Sequence, residues 1–168
     1  MQPDNSSKKA DDLDNRGIRF FIKMLYSLYT KRRGKMLPIS EIQKRMSHCV
    51  TYGETLTGAS VYFREDWGTY YFDLLGKQFG LMSETATTDT FITLKNAPDK
   101  NIVLRDTFEG GIIPGYYANK KHWNSIYLCH ELVTEELLEQ MILESYQFVY
   151  QNLTKSQKAT LNKGYKEG

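Results

Sequence analysis

Cysteine is scarce in this chain: only Cys49 and Cys129 occur among 168 residues, far apart and without a C-x-x-C partner. That spacing supports neither a disulfide framework nor a zinc knuckle, and buried free thiols are the simpler expectation. Histidine is scarce as well. His48, His122 and His130 show no H-x-x-H or H-E-x-x-H spacing, and no serine stands in a G-x-S-x-G frame, so metal and triad catalysis lack their usual residues. Neither G-x-x-x-x-G-K-[ST] nor G-x-G-x-x-G is present, which removes the phosphate-cradling loops of nucleotide and dinucleotide folds. No run approaches the roughly 18 consecutive apolar residues of a membrane span. The polar start MQPDNSSKKADDLDN lacks the apolar segment of a signal peptide, so a cytoplasmic location, no membrane span and no cofactor are expected.

What is present fits one globular domain. A chain of this length can bury roughly 70% of its unfolded surface, and 40% hydrophobic, 25% charged and 13% aromatic residues are ordinary proportions for doing so. Tyrosine is abundant at 12, giving many rings with a polar tip. The formal net charge of +2 is too small to argue for a nucleic-acid partner, because phosphate affinity depends on cations gathered on one face.

Residues 1–15 hold hardly any apolar side chain and read as a flexible tail. Residues 16–38 read as a basic amphipathic helix and linker: Ile18, Phe21, Ile22, Leu25, Leu28 and Tyr29 recur at helical spacing, and no acidic residue occurs between Asn15 and Ser40. Such a helix could lie on DNA, on an anionic surface or against a partner, or pack on the core and leave its cations in solvent. Residues 39–162 read as the folded domain and 163–168 as a second tail. Ser40 is placed to cap a helix carrying Ile42 and Met46, and Thr51 to Ser60, with Gly53 and Gly58, reads as loop. Four runs rich in strand formers follow, Val61–Phe63, Thr69–Leu75, Gln78–Met82 and Thr90–Leu94, with Gly76-Lys77 as a tight turn. Pro98 suggests a short helix, Glu109–Gly115 a loop, and Trp123–Leu128 a strand. Thr134 caps a long helix with Leu138, Met141, Ile142, Phe148 and Val149 inward, and Thr154-Lys155-Ser156-Gln157 matches a capping box.

The segment Pro114-Gly115-Tyr116-Tyr117-Ala118-Asn119-Lys120-Lys121-His122-Trp123 resembles the P-G-Y-H-x-N-K-x-H-W segment of the MmcQ/YjbR family. Glu65-Asp66-Trp67, Gly76-Lys77 before Phe79-Gly80-Leu81, Leu94-Lys95 to Pro98, Leu104-Arg105 and Glu144-Ser145-Tyr146 support the resemblance from about Glu41 to Leu161. Tyr117 departs from it where His is usual, as does Leu128-Cys129-His130 where an Asp-Gly turn is usual. The resemblance implies an α+β fold, a curved antiparallel sheet with helices packed on it of YjbR-like or CyaY-like type. It also implies a predicted double-wing DNA-binding protein.

Taken by their chemistry, Asn119, Lys120, Lys121, His122 and Trp123 offer amide, ammonium, imidazole and indole groups beside a Gly/Pro loop, and Lys95 and Arg105 extend the set. That mixture can hold phosphate and stack on a base. The opposing view makes Trp123 and Tyr127 core residues of a strand and the lysines merely solvated. Glu65-Asp66 beside Arg64 reads as a charge-balanced turn rather than a catalytic acid pair. Two functions therefore stand: non-enzymatic DNA binding, or a protein- or small-ligand-binding module with no nucleic-acid role.

Overall fold

The computed structural model describes residues 35–116 and 118–164; the expected tail 1–15, the basic helix 16–33 and residues 165–168 lie outside them. In chain order the described elements are α1 (Ile39–Thr55), β1 (Ala59–Arg64), β2 (Thr69–Leu74), β3 (Lys77–Ser83), β4 (Phe91–Lys95), α2 (Pro98–Thr107), β5 (Ile112–Pro114), β6 (Trp123–Tyr127), α3 (Glu135–Gln151) and α4 (Lys155–Gly164). All six strands pair antiparallel in one curved sheet ordered β1-β2-β3-β4-β6-β5. The α+β expectation is met.

Strand alternation assigns the two faces of the sheet. Val61, Phe72, Gly80 and Leu94 lie opposite one another across β1 to β4, and Met82, Ile92 and Ile126 form the neighbouring row. This face meets α1 and α3, whose Ile42, Cys49, Leu138 and Ile142 are fully buried against it. Pairing shifts between Phe72 and Asp73, where Phe79 is the extra residue of a bulge. Its ring sits edge-on to Phe72 at 5.7 Å and to Tyr146 at 5.8 Å, closing the centre of the core.

Three local expectations change. Helix α1 starts at Ile39 on Pro38, whose carbonyl accepts from Glu41 N at 3.0 Å and Ile42 N at 3.1 Å, so Ser40 lies inside the first turn instead of capping it. The helix then continues through Gly53 to Thr55 where a loop was expected. Gly53 faces the core there, and a Cβ would stand 2.8 Å from the Phe72 ring and 2.9 Å from Val61, so glycine serves close packing rather than a turn. The hairpin turn is Leu75-Gly76, with φ 51° and 77°, and Lys77 already belongs to β3. Two successive positive φ angles are the signature of the type I′ turn that suits strand twist.

Residues 112–114, expected as loop, form the edge strand β5 on β6, where a terminal Pro114 costs no internal ladder bond. Helix α4 runs to Gly164, past the boundary drawn at 162. The caps at Thr134 and Thr154 are as expected: Thr134 Oγ1 accepts from Leu137 N at 3.2 Å, and Thr154 and Gln157 bond each other's backbone N–H at 3.2 and 3.0 Å. Cys49 and Cys129 are both buried and not joined to each other, and burial pushes the Cys49 thiol up to about 12. No helix among the described residues is long and apolar enough to cross a membrane.

Candidate functional site

Most of the expected site residues lie on the segment between β5 and β6, and α2 dictates its shape. From α2, Arg105 Nε donates to Asn124 Oδ1 at 2.6 Å, and Nη2 donates to the carbonyls of Lys120 and Trp123. Asn101 Nδ2 donates to Lys121 O at 3.2 Å, Asn124 Nδ2 donates to Asn101 O at 3.2 Å, and Asn96 N donates to His122 O at 2.9 Å. Within the loop, Asn119 Oδ1 accepts from Lys121 N at 2.9 Å, and its carbonyl accepts from His122 N and Trp123 N. Asparagine bonding its own backbone two residues on is turn chemistry.

The seven expected contacts therefore divide. Arg105 and Asn119, anticipated as ligand contacts, are engaged in shaping the loop: Arg105 donates to its carbonyls, and the two oxygens of Asn119 accept from its N–H groups. Lys120 and Lys121 stand exposed at its tip and make no ion pair with a described residue. Lys95 is paired across the ladder with Trp123, its Nζ 5.7 Å from that ring's centroid and 5.4 Å from Phe148's, within cation–π range. His122 is half-buried, with Nδ1 buried and unpartnered. Trp123, Ser125 and Tyr127 share one face of β6 by alternation. It is Ser125 that is fully buried: its hydroxyl meets Thr93 Oγ1 at 2.7 Å and accepts from Tyr116 N at 2.9 Å, while both rings remain half-exposed.

That same face, away from α1 and α3, carries a feature sequence reasoning missed. Tyr62, Tyr71, Leu81, Thr93 and Ser125 form one register row from β1 to β6. At one end Tyr62 and Tyr71 lie 5.6 Å apart, Trp67 meets Tyr71 edge-on at 5.8 Å, and Arg64 Cζ sits 3.9 Å over the Trp67 ring. Asp66 holds Arg64 in a bidentate pair at 2.6 and 3.1 Å, and that pairing keeps the Asp66 carboxyl below the usual range. The Arg64–Asp66 turn is charge-balanced, as its sequence suggests. Further along, Phe91 contacts Tyr116 and Tyr127 edge-on at 5.6 and 6.1 Å. Trp67 and Tyr116 are each 51% exposed and Tyr62 44%, which makes this face a platform of accessible rings rather than a second core layer. The available signal was Tyr62 and Tyr71 at matched distances from the Glu65–Gly68 turn.

Among the described residues, no group of three or more His, Cys, Asp or Glu could hold a metal ion.

The YjbR family model matches residues 55–148, from the end of α1 into α3. Uncharacterized protein YbdF of Escherichia coli O157:H7 is 37% identical over 93 residues, which is 55% of this chain and 74% of that protein. Among solved structures, a Deinococcus radiodurans protein with a DUF419 domain aligns at a TM-score of 0.59 and 27% identity, covering 77% of this chain and 91% of that one. A Pseudomonas syringae protein aligns at 0.50 and 21% identity over 61% and 96% of the two chains, a likeness of fold alone. The matched span takes in both the platform and the loop of Lys120 and Lys121, and the chain belongs to the YjbR family.

Proposed function

We propose that the chain is a non-catalytic DNA-binding protein that takes unpaired bases on the ring platform and phosphates on Lys120 and Lys121. One observation carries the reading: Tyr62, Trp67 with Arg64 over it, and Tyr116 are exposed on the same sheet face that Trp123 borders. Aromatic rings stack with any base, at about 1–3 kcal/mol per base by alanine substitution, while cations track the backbone. Duplex DNA hides its base faces, so single strands should bind more tightly.

Fluorescence anisotropy with a labelled single strand and its duplex tests this. Trp67→Ala should weaken single-strand binding by roughly 5- to 150-fold, the range that about 1–3 kcal/mol represents. Lys120→Ala with Lys121→Ala should lower the salt slope by about 0.7 for each phosphate that is no longer neutralised. Wild-type protein that retains neither single strand nor duplex at low salt would refute the reading.

One observation favours the alternative, a protein- or small-ligand-binding module. The excess of Lys and Arg over Asp and Glu comes from residues 1–34, so residues 35–164 hold more carboxylates than cations. A partner seated on the rings without phosphate contacts would bind with little dependence on salt.

A further inference from the structure

Adjacent residues of β2 point to opposite faces, so while Tyr71 joins the platform, Tyr70 turns toward α1. There, between α1 and the turn after β3, lies a cleft of about 600 Å³. That volume lies within the range of small-molecule sites. Met46 and Met82, 7% and 1% exposed, form its floor with unbranched thioethers that adapt to a ligand's shape. Gln43 and Thr51 reach it from α1, Tyr70 from β2 and Glu84 from the turn, and the side-chain polar groups of these four make no hydrogen bond or ion pair with a described residue.

Among the described residues, Glu84 is the one charged side chain in the lining, and no Lys, Arg or His joins it. A phosphate or carboxylate would meet a lone negative charge with nothing to neutralise it. A cation would meet a carboxylate, neutral oxygens and the ring of Tyr70, all of which favour positive charge. We propose that this cleft binds an organic cation, an ammonium or guanidinium group on an aliphatic stem. The head is held by Glu84 and Tyr70, and the stem lies on Met46 and Met82. The same chemistry is carried by a free aliphatic amine and by an Arg or Lys side chain of another protein. The site is separate from the platform, and its test does not involve nucleic acid.

Titrating the full-length protein, followed by backbone amide NMR, decides between them. Agmatine and N-acetyl-arginine amide share the guanidinium and stem; n-butyrate reverses the charge on a similar stem. Saturable shifts at Thr51, Tyr70 and Glu84 with agmatine, and none with butyrate, are expected. Equal affinity for the blocked arginine assigns the site to a protein side chain, and preference for agmatine assigns it to a small amine. Glu84→Gln should weaken binding at least about fivefold, in line with loss of a charge-assisted hydrogen bond. Because Glu84 is exposed, its variant keeps the fold. Butyrate binding as well as agmatine, affinity unchanged in Glu84→Gln, or no saturation by about 10 mM, beyond the millimolar end of the affinity scale, would overturn the proposal.

Discussion

Replacing Arg45 by Met should destabilise this protein by cutting the tie between α1 and residues 128–130. Arg45 is 8% exposed on α1, and Nη1 donates to Leu128 O and His130 O, each at 2.9 Å. Burial lowers its pKa from the usual value, yet no carboxylate lies within ion-pair distance of it among the described residues, so the two carbonyls carry the compensation. Methionine keeps much of the stem's volume and removes the buried charge, which limits the loss from packing. What remains is Leu128 O without its donor, at about 1–3 kcal/mol, and the loss of one of two bonds at His130 O, which keeps the Val133 N–H at 3.1 Å, at about 0.5–1.5 kcal/mol. Relief from burying a guanidinium offsets part of that, and a net loss of about 1–3 kcal/mol is expected. For a chain of this size about 1 kcal/mol corresponds to roughly 2–4 °C in Tm, so the midpoint should fall by about 2–12 °C. Urea denaturation read by circular dichroism measures it, with an unchanged m value as the sign that the native state stays intact. A variant within about 0.5 kcal/mol of wild type, the range of inert surface changes, would mean that solvent or a shifted loop satisfies these carbonyls and that Arg45 is not the tie between α1 and residues 128–130.

Gly53→Ala should cost about 1–3 kcal/mol in urea melts, because its methyl would press on Phe72 and Val61 from a helix that cannot retreat. Leu75→Asn should stabilise by up to about 1 kcal/mol, since φ 51° at a type I′ position suits Asn better than Leu; a loss of stability would show that the side chain of Leu75 packs usefully. Burial lowers the His130 pKa below its ordinary 6.5, with Glu131 opposing and Arg45 adding to the shift. The folded protein therefore binds this proton less well than the unfolded chain. Its contribution is fully present above pH 6.5 and is lost as pH falls through the lower folded value, with a slope of at most about 1.4 kcal/mol per pH unit. His130→Gln should flatten stability against pH in that window, and an unchanged profile would assign the acid sensitivity to other groups.

How far the sequence could be read depended on the distance over which each feature is decided. The caps at Thr134 and Thr154 use partners three residues away, and both are as the sequence implies. Gly53 obeys a different logic: glycine near a helix end suggests a stop, but here the deciding neighbour is Phe72, on a strand the local pattern cannot see. Strand β5 exists only because β6 offers it a ladder, so Ile112-Ile113-Pro114 between glycines carried no signal of its own. Arg105 and Asn119 read as ligand contacts because their partners, loop carbonyls for Arg105 and loop N–H groups for Asn119, are backbone groups that composition does not reveal. Lys120 and Lys121 are exposed between β5 and β6, which both the phosphate-contact and the solvated-lysine readings expect.

The sheet's two faces meet different physical demands, and charge sharpens the contrast. On the helix side, Phe72, Phe79, Ile92 and Ile126 are wholly enclosed, so changes of shape there are felt as stability. On the other side, Tyr62, Trp67 and Tyr116 keep much of their surface in water, and replacing them should alter binding far more than folding. The cationic excess lies in residues 1–34, outside the described fold, whereas residues 35–164 carry more carboxylates than cations. Long-range steering of a polyanion by residues 35–164 is therefore weak, and under the proposed function any affinity of the platform for nucleic acid would have to come from contact: rings against bases, with Lys95, Lys120 and Lys121 acting at close range. Such a site would discriminate by whether base faces are accessible, which is a property of single strands, and not by the density of phosphate charge, in which a duplex would win.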